Sequence, residues 1–351
     1  MVAELGQKAA DLGIDCDYRQ AGTFLAARSE VHEQRARADV DQARAWDDDS
    51  LQWLPAMSAA RFAAMDQLQG GTFNPHCASI QPAKLVTGLA RAAVERGVSI
   101  FEQVRVSSHA DGVVITDRGS IGARVVVRAT EGYTGSLAQH RRQFVPVYSL
   151  MLATEPLPDA VLAAIALPQG ITFADYRHVI IYGQRTADNR IAFGGRGAPY
   201  HFGSATHARF EQVPAVHRAL HRMLLEMFPQ LAGVRVTHTW GGALALPRDW
   251  TVSVGYDRER GFAWSGGYLG DGVTMSFTGG RILAELISGK KSALCELPWV
   301  GHRSRQWEPE PLRWLGISAA LRAMHWADTA EERTGRASRI ADLMNAAVGR
   351  S

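Results

Sequence analysis

A glycine-rich turn between a predicted strand and a predicted helix constrains this chain more than any other feature. Residues 240–291, WGGALALPRDWTVSVGYDRERGFAWSGGYLGDGVTMSFTGGRILAELISGKK, predict a strand, a turn, a strand, a second turn and a helix. The second turn contains four glycines, Gly266, Gly267, Gly270 and Gly272. Without Cβ atoms, a flat or charged group can approach this backbone closely, and the helix from about Val273 directs free first-turn amides to the same place. The turn is therefore predicted to hold an anion or a cofactor, although an ordinary tight turn capped by Asp271 would also explain the glycines.

Composition indicates a globular protein and argues against several classes. The 351 residues are enough for about two domains with a substantial core. A net charge of +3, with the arginines spread among acidic residues, gives no basic patch for nucleic acid. The longest apolar stretches are far shorter than the roughly 20 residues of a membrane helix, and the first residues lack a signal-peptide pattern, so a cytoplasmic location is the default expectation. The three scattered cysteines, Cys16, Cys77 and Cys295, predict reduced thiols rather than disulfides.

Predicted helices and strands alternate along the rest of the chain. Helices are predicted over 3–13, 29–46, 82–96 and 207–228. Strands are predicted over 22–28, 145–157, 178–185 and 190–197, and a β-meander over 98–109, 112–119 and 123–130 with a hairpin turn at 117–119. The strands after residue 144 and their single covering helix suit an antiparallel substrate-binding domain, and the strand at 22–28 is expected to join its sheet.

Four segments in a fixed order carry a resemblance to a known family. They are 70–106 (GGTFNPHCASIQPAKLVTGLARAAVERGVSIFEQVRV), 123–134 (ARVVVRATEGYT), 240–291, and 307–316 (WEPEPLRWLG). Together they resemble the FAD-dependent oxidoreductases of the D-amino acid oxidase type, which include glycine, sarcosine and γ-glutamylputrescine oxidases. The resemblance implies oxidation of the CH–NH bond of a small amine or amino acid, with hydride transfer to FAD.

The resemblance also implies a fold and a division into domains. The fold class would be α/β of a mixed α+β kind, with a partial FAD-binding Rossmann-like domain and an antiparallel-sheet substrate domain. The FAD-binding part would comprise 70–144 and 246–290, and the substrate-binding part 15–69 and 145–245. Residues 291–351 would form a helical extension, which we expect to pack on its own chain.

One element of the family is missing from the sequence. The family opens with a strand, a G-x-G-x-x-G turn and a helix that hold the FAD pyrophosphate, whereas this chain begins with a segment that resembles the family's helix and strand located after that unit. The near-match at Gly195 and Gly197 lacks the third glycine. We expect a family member with a truncated N-terminus, through a real truncation, a split gene or a misplaced start. The expected partners are a homo-oligomer or a separate chain that supplies the missing unit. The alternative is a non-catalytic remnant that serves as a binding or structural protein.

The resemblance implies cofactor contacts at three places. Val104 and Val106 would direct backbone groups to the adenine, and Ala129 and Thr130 would lie against FAD, in a turn where this chain departs from the family by having Glu131 and Gly132. The third place is the glycine turn, comprising Gly267, Tyr268, Leu269, Gly270, Asp271, Gly272 and Val273. Its amides would stabilise the negative charge that the flavin gains on reduction.

Candidates for the substrate side are less specific. Aromatic residues and arginines could line a pocket and hold a substrate carboxylate; the candidates are Tyr148, Arg196, Tyr200, Trp240 and Arg248. His76 is a weak candidate for proton exchange, since a lone loop histidine is more often a hydrogen-bonding turn residue. His217 and His221 have the spacing of a metal pair, but no third ligand is evident, so we predict a solvated helix face and no metal.

Overall fold

The computed structural model of the chain describes residues 1–290 and 292–341. Its α-helices are α1 (Val2–Asp11), α2 (Glu30–Ala45), α3 (Ala56–Ala59), α4 (Pro82–Val94), α5 (Asp159–Ile165), α6 (Pro214–Met227), α7 (Gly272–Ser288) and α8 (Leu312–Thr334). Residues 291 and 342–351 of the predicted extension lie outside the described part. No helix among the described residues is both long and apolar enough to cross a membrane.

The strands form three sheets. They are β1 (Thr23–Ala27), β2 (Gln52–Pro55), β3 (Gly70–Asn74), β4 (Val106–Ala110), β5 (Val113–Thr116), β6 (Gly119–Gly122), β7 (Val126–Arg128), β8 (Phe144–Thr154), β9 (Thr172–Asp175), β10 (Ile181–Arg185), β11 (Ile191–Gly195), β12 (Val236–Pro247), β13 (Ser253–Asp257) and β14 (Phe262–Gly266). The sheet orders are β12-β8-β11-β10-β9-β1-β3-β2, β13-β14-β7 and β4-β5-β6. This is the mixed α/β class that the sequence predicts.

The large sheet takes its strands from both halves of the chain. Strand β1 joins it as predicted, antiparallel to β3 and parallel to β9, so the sheet is mixed rather than purely antiparallel. Strand β3, at the start of the range predicted for the FAD-binding part, also belongs to this sheet. The long strand β8 is buried along almost its whole length, which explains its nearly continuous apolar sequence. Leu150, Leu152 and Phe193 are fully buried, each contributing roughly 1.5–3 kcal/mol.

The second sheet is small and carries helix α7. Strand β13 is antiparallel to β14, and β14 is parallel to β7, with Trp264 opposite Arg128. Helix α7 packs on this sheet through Ile282 and Leu283, and Gly279 allows the helix to approach the Ser265 side chain closely. The prediction that residues 123–130 complete the β-meander is wrong, because β7 pairs with the distant β14. Strand β6 completes the meander instead.

Helix α8, in the C-terminal extension, is attached to the rest of the chain through two carboxylates. Asp328 accepts hydrogen bonds from the backbone amides of His178 (2.7 Å) and Val179 (2.9 Å), between β9 and β10. The buried Glu331 forms a 2.6 Å ion pair with Arg35 of α2. The part of the extension that the structure describes therefore packs on its own chain, as predicted.

Candidate functional site

The parallel pair β7–β14 brings two predicted cofactor segments together. The carboxyl ends of parallel strands lie at the same edge of a sheet, and ligands of open α/β sheets bind outside that edge. Strand β7 leads into Ala129–Glu131, and β14 leads into Gly267–Val273 and the start of α7. We call these two segments the cofactor edge. Ala129, Gly270 and Val273 are exposed, so the edge is accessible from solvent.

The turn at the cofactor edge has a backbone that requires its glycines. Gly267 and Gly270 have φ of 79° and 117°, and Leu269 between them has φ of 59°. A Cβ atom at Gly270 would overlap the guanidinium group of Arg196. Asp271 lies at the N-cap of α7, but its side chain accepts no capping hydrogen bond. The alternative of a turn capped by Asp271 is therefore not what the structure contains, and the helix directs its electropositive end to the edge.

Glu131, a residue that the sequence marked only as a departure from the family, has its carboxylate folded against this turn. Its Oε2 atom accepts a hydrogen bond from the amide of Gly267 (2.9 Å), and Oε1 accepts from Tyr268 (3.3 Å) and Ala245 (3.2 Å). Burial raises the pKa of Glu131, while these amides and the nearby Arg128 oppose the shift. A long-range contact of this kind leaves no local pattern in the sequence.

A buried cation lies behind the edge. Arg128, at the end of β7, is 4% exposed, and its Nη1 atom contacts His140 Nδ1 (3.2 Å) and Gln143. Among the described residues, its Nε and Nη2 atoms have no hydrogen-bond partner. Burial lowers the pKa of Arg128 to about 10, and burial together with Arg128 lowers the pKa of His140 to about 4. His140 in turn contacts His109 of β4 at 2.8 Å, which connects the small β-meander to this cluster.

Arg196 is the substrate-side candidate that the structure brings to the cofactor edge. It follows β11 of the large sheet, and its Nη2 atom donates a hydrogen bond to the carbonyl of Leu269. Tyr268 also lies in the turn, but it is only 9% exposed and its hydroxyl is 2.6 Å from Ser265 Oγ, inside the small sheet. Arg196 therefore joins the large sheet to the glycine turn.

The other substrate-side candidates have contacts elsewhere. Tyr148 is 2% exposed, and its hydroxyl accepts a hydrogen bond from the amide of His207. Tyr200 donates to Glu310 (2.7 Å) and Arg248 to Glu308 (3.1 Å), so both hold the C-terminal extension. Trp240 lies partly exposed on β12, where its carbonyl is 3.3 Å from His217 Nε2. The residue type alone, aromatic or arginine, did not predict these hydrogen-bond partners.

The remaining predicted site residues are distant from the glycine turn in the sequence and do not belong to the sheet that carries the turn. Val106 begins β4 and pairs with Thr116, and Val104 precedes it, so both belong to the β-meander region. His76 is exposed in a loop, where its amide donates to Asn74 Oδ1 (2.8 Å). Its contacts match those of a hydrogen-bonding loop residue.

The structure also bears on metal binding. His217 is buried, so the prediction of a solvated helix face is wrong for it. His178, Asp328 and Glu331 lie close enough to share an ion. The Arg35 guanidinium, however, is 2.8 Å from His178 Nε2 and 2.6 Å from Glu331 Oε1. Since a cation already lies at this cluster, it is an ion-pair network that holds α8.

Solved structures with this architecture are known. Glycine oxidase from Geobacillus kaustophilus aligns with a TM-score of 0.74 at 19% identity, over 87% of this chain and 81% of that chain. L-proline dehydrogenase from P. horikoshii aligns with a TM-score of 0.69 at 19% identity, over 83% of this chain and 78% of that chain. The fold class of this chain is therefore the one that it shares with these two structures. The chain belongs to the DAO family of FAD dependent oxidoreductases, whose model matches residues 2–286.

Curated relatives agree with the family. Gamma-glutamylputrescine oxidoreductase of Escherichia coli K12 is 28% identical over 284 residues, which are 79% of this chain and 63% of that protein. A probable oxidoreductase, OrdL, of Rhizobium meliloti is 34% identical over 227 residues, 61% of this chain and 48% of that protein. The chain spans less than two thirds of the length of either relative.

The residues of the cofactor edge fit the FAD that this family uses. The exposed Gly270, with its positive φ, carries no side chain, which leaves the backbone there open to a flat ring system, whereas Gly267 is buried against Phe144 and Pro247. The uncapped N-terminus of the 17-residue helix α7 favours negative charge at the same place. Ala129 presents only a methyl group from the neighbouring strand end. These features suit a planar cofactor that becomes more negative on reduction.

Proposed function

We propose that this protein is an FAD-dependent oxidoreductase that oxidises the CH–NH bond of a small amine or amino acid. One observation carries the proposal: the parallel pair β7–β14 ends at a glycine turn and a helix N-terminus, at an edge that Arg196 of the large sheet also reaches. Membership in the DAO family and relatives named for γ-glutamylputrescine and D-amino acids support the substrate class.

When bound, FAD supplies the two-electron acceptor for the substrate C–H bond. The protein contributes position and electrostatics. The amides of Leu269, Gly270, Gly272 and Val273 and the helix dipole stabilise negative charge at the edge, and Gly270 and Gly272 allow close approach. The Asp271 amide instead donates to the Tyr268 carbonyl at 3.0 Å, within the turn. With an amine that reacts in its neutral form, positioning and exclusion of water provide most of the catalysis without a dedicated base.

The substrate side of the site is assigned to Arg196. Its guanidinium lies at the turn, where a carboxylate-bearing substrate would meet the cofactor edge, and a planar guanidinium can bind a carboxylate through two donors. Replacement by lysine removes that paired geometry. We expect Arg196→Lys to raise KM for amino acids at least about tenfold and to affect amines without a carboxylate much less.

The domain division is part of the same proposal. The FAD-binding part would centre on the sheet β13-β14-β7 with α7, and the substrate-binding part on the large sheet, which also includes β3. We propose a cytoplasmic location for the protein. A homo-oligomer or a separate chain that supplies further FAD contacts stays a prediction, which size-exclusion chromatography with and without FAD would test.

The first experiment is the visible absorption spectrum of the purified chain before and after incubation with FAD. Flavin bands that co-elute with the protein, and that bleach anaerobically with glycine, sarcosine, a D-amino acid or a polyamine derivative, are the expected result. Bound flavin that no amine bleaches would favour the non-catalytic alternative. A chain that cannot be loaded with FAD at any concentration up to the millimolar range would contradict the proposal.

A matched pair of glycine variants tests whether the flavin binds at the turn. Gly270→Ala introduces a Cβ at φ of 117° against Arg196, whereas Gly280→Ala adds a methyl group in open space on helix α7. We expect Gly270→Ala to weaken FAD binding about tenfold or more, and Gly280→Ala to leave binding unchanged while stabilising the helix by roughly 0.5–1 kcal/mol. Equal FAD affinity in the two variants would show that the flavin does not bind at this edge.

A further inference from the structure

We propose that Glu131 is a positioning residue, whose carboxylate holds the glycine turn against strand β12 and so sets the distance between the cofactor edge and the large sheet. The contacts themselves do not depend on the proposed function. Only the expected effect on FAD rests on it.

The carboxylate connects three backbone amides from two elements. Gly267 and Tyr268 donate from the glycine turn, at 2.9 and 3.3 Å, and Ala245 donates from β12 of the large sheet, at 3.2 Å. These donors are 114 to 137 residues away from Glu131 along the chain. A single side chain thereby joins the end of β7, the turn after β14 and the strand β12. Without it, the turn and the large sheet lose the acceptor that they share.

The backbone around Glu131 is shaped for this role. Glu131 has φ of 38°, a left-handed conformation that is strained for residues other than glycine. The next residue, Gly132, is packed so tightly that a Cβ atom would lie 2.4 Å from the carbonyl oxygen of Ala243 in β12. The segment is therefore wedged against β12, and the conformation directs the Glu131 side chain back to the turn.

The chemistry of the contact requires a carboxylate. All three partners are N–H donors, and an ionised carboxylate is a pure acceptor with room for each of them. A glutamine has one carbonyl oxygen, so its amide nitrogen would face either Gly267 or the pair Tyr268 and Ala245, donor against donor. An alanine has no acceptor at all. The loss should therefore be graded, with glutamine intermediate between glutamate and alanine.

Holding this turn in place matters because the turn carries the start of α7. A displacement of about 1 Å between a catalytic group and its substrate can reduce rates about a hundredfold. Arg196, which follows β11 of the large sheet, contacts the carbonyl of Leu269 in the same turn. Glu131 and Arg196 thus both hold the turn. Glu131 accepts hydrogen bonds from amides of the turn, and Arg196 donates a hydrogen bond to one of its carbonyls.

Hydrogen–deuterium exchange of the FAD-free chain tests the contact directly. Mass spectrometry of overlapping peptides would follow the amides of Gly267, Tyr268 and Ala245 in the wild type, Glu131→Ala, Glu131→Gln and Glu155→Ala. Glu155 is the matched control, because it also accepts a backbone amide, that of Arg235 at 3.0 Å, at the far end of strands β8 and β12. We expect at least about tenfold faster exchange in Glu131→Ala and a smaller increase in Glu131→Gln. Unchanged exchange in both Glu131 variants, or an equal increase in Glu155→Ala, would overturn the proposal.

FAD affinity and kinetics provide the second readout. If FAD binds as proposed, Glu131→Ala should lower the affinity for FAD about tenfold and lower kcat more than it raises KM. The values for Glu131→Gln should lie between those of the wild type and Glu131→Ala. If the wild type binds no FAD but exchange responds as expected, the proposed function fails and the positioning role of Glu131 stands. If FAD binds and exchange does not respond, the reverse holds. Should Glu131→Ala fail to fold, Glu131→Gln alone decides, since it keeps the size of the side chain.

Discussion

The large sheet and the sheet β13-β14-β7 differ in how much apolar surface they bury. Among the described residues, the core of the large sheet includes fully buried aromatic and aliphatic side chains on most of its strands. The small sheet and α7 share a smaller cluster of Val254, Ala263, Ile282 and Leu283, beside which Val126 and Trp264 are also buried. Strand β7 ends the small sheet, and its Val127 is 47% exposed. The cofactor edge is therefore carried by the less buried region.

This difference in burial predicts that the two sheets differ in stability and in their response to a bound ligand. A region with few buried apolar contacts opens at a lower free energy than the rest of the molecule. A ligand that binds only its folded form stabilises it by about 2.7 kcal/mol at a hundred times Kd. We therefore expect two unfolding transitions, and FAD should move only the one that belongs to the small sheet.

The largest effect is expected in the large sheet. Phe193 of β11 is fully buried and stacks against Phe173 of β9 at 6.1 Å. Phe193→Ala should lower the free energy of unfolding by about 3–5 kcal/mol through lost burial and the cavity left behind. Urea unfolding followed by circular dichroism should show a shift of the second transition, with or without FAD. A shift that FAD reverses would show that FAD also stabilises the large sheet, contrary to the difference between the two sheets.

The matching change in the small sheet is Ile282→Ala. Ile282 of α7 is fully buried against Val254 and Ala263, and its truncation should cost about 2–4 kcal/mol. The first transition should move to lower urea, and excess FAD should restore much of the shift. If every variant unfolds in one transition, the two regions form a single cooperative unit.

A smaller effect should appear as a pH dependence of the small sheet. Burial holds the pKa of His140 at about 4, below its ordinary 6.5, so the unfolded chain takes up a proton first as pH falls. This contribution to stability is present above pH 6.5 and is lost as pH falls toward 4, by about 1–2 kcal/mol after allowance for solvent screening. His140→Gln should flatten the change in stability between pH 7.5 and 4.5, and the exposed His76→Gln should not. The same slope in both variants would contradict the assignment.

The smallest effect is expected at an exposed ion pair. Arg260, in the β13–β14 turn, contacts Asp111 of the β4–β5 turn at 3.1 Å, and both side chains are more than half exposed. Arg260→Ala should change stability by less than about 0.5 kcal/mol, because solvent screens the pair. A loss above about 1 kcal/mol, measured by the same urea titration, would show that the β-meander contributes more to the small sheet than its burial suggests.

Local patterns predicted much of the fold. The apolar run of β8, the Pro82 start of α4 and the Gly289 end of α7 are short-range signals, and the structure contains each of them. Strand β6 escaped prediction because GSIG has two glycines and a serine among its four residues, which gives it little strand propensity. The partner of β7 escaped because its pairing with β14 spans more than a hundred residues.

The candidate site was predictable where backbone geometry determines it. The glycines at 267 and 270 mark positive φ angles, which is why the turn could be located from the sequence. Tyr200 and Arg248 were candidates by residue type alone, and both hold the C-terminal extension through glutamates. The Glu131 contact depends on three distant amides, so only the folded chain reveals it.

The attachment of α8 has a consequence for how this protein can be shortened. Asp328 satisfies two successive amides just before β10, a task that an adjacent strand or an ordered water would otherwise perform. A chain ended before residue 312 would leave those amides and the Arg35 guanidinium without these acceptors, on a surface that α8 now covers. Helix α8 thus covers the polar backbone of the segment between β9 and β10, and a protease that removes it should expose a surface prone to aggregation.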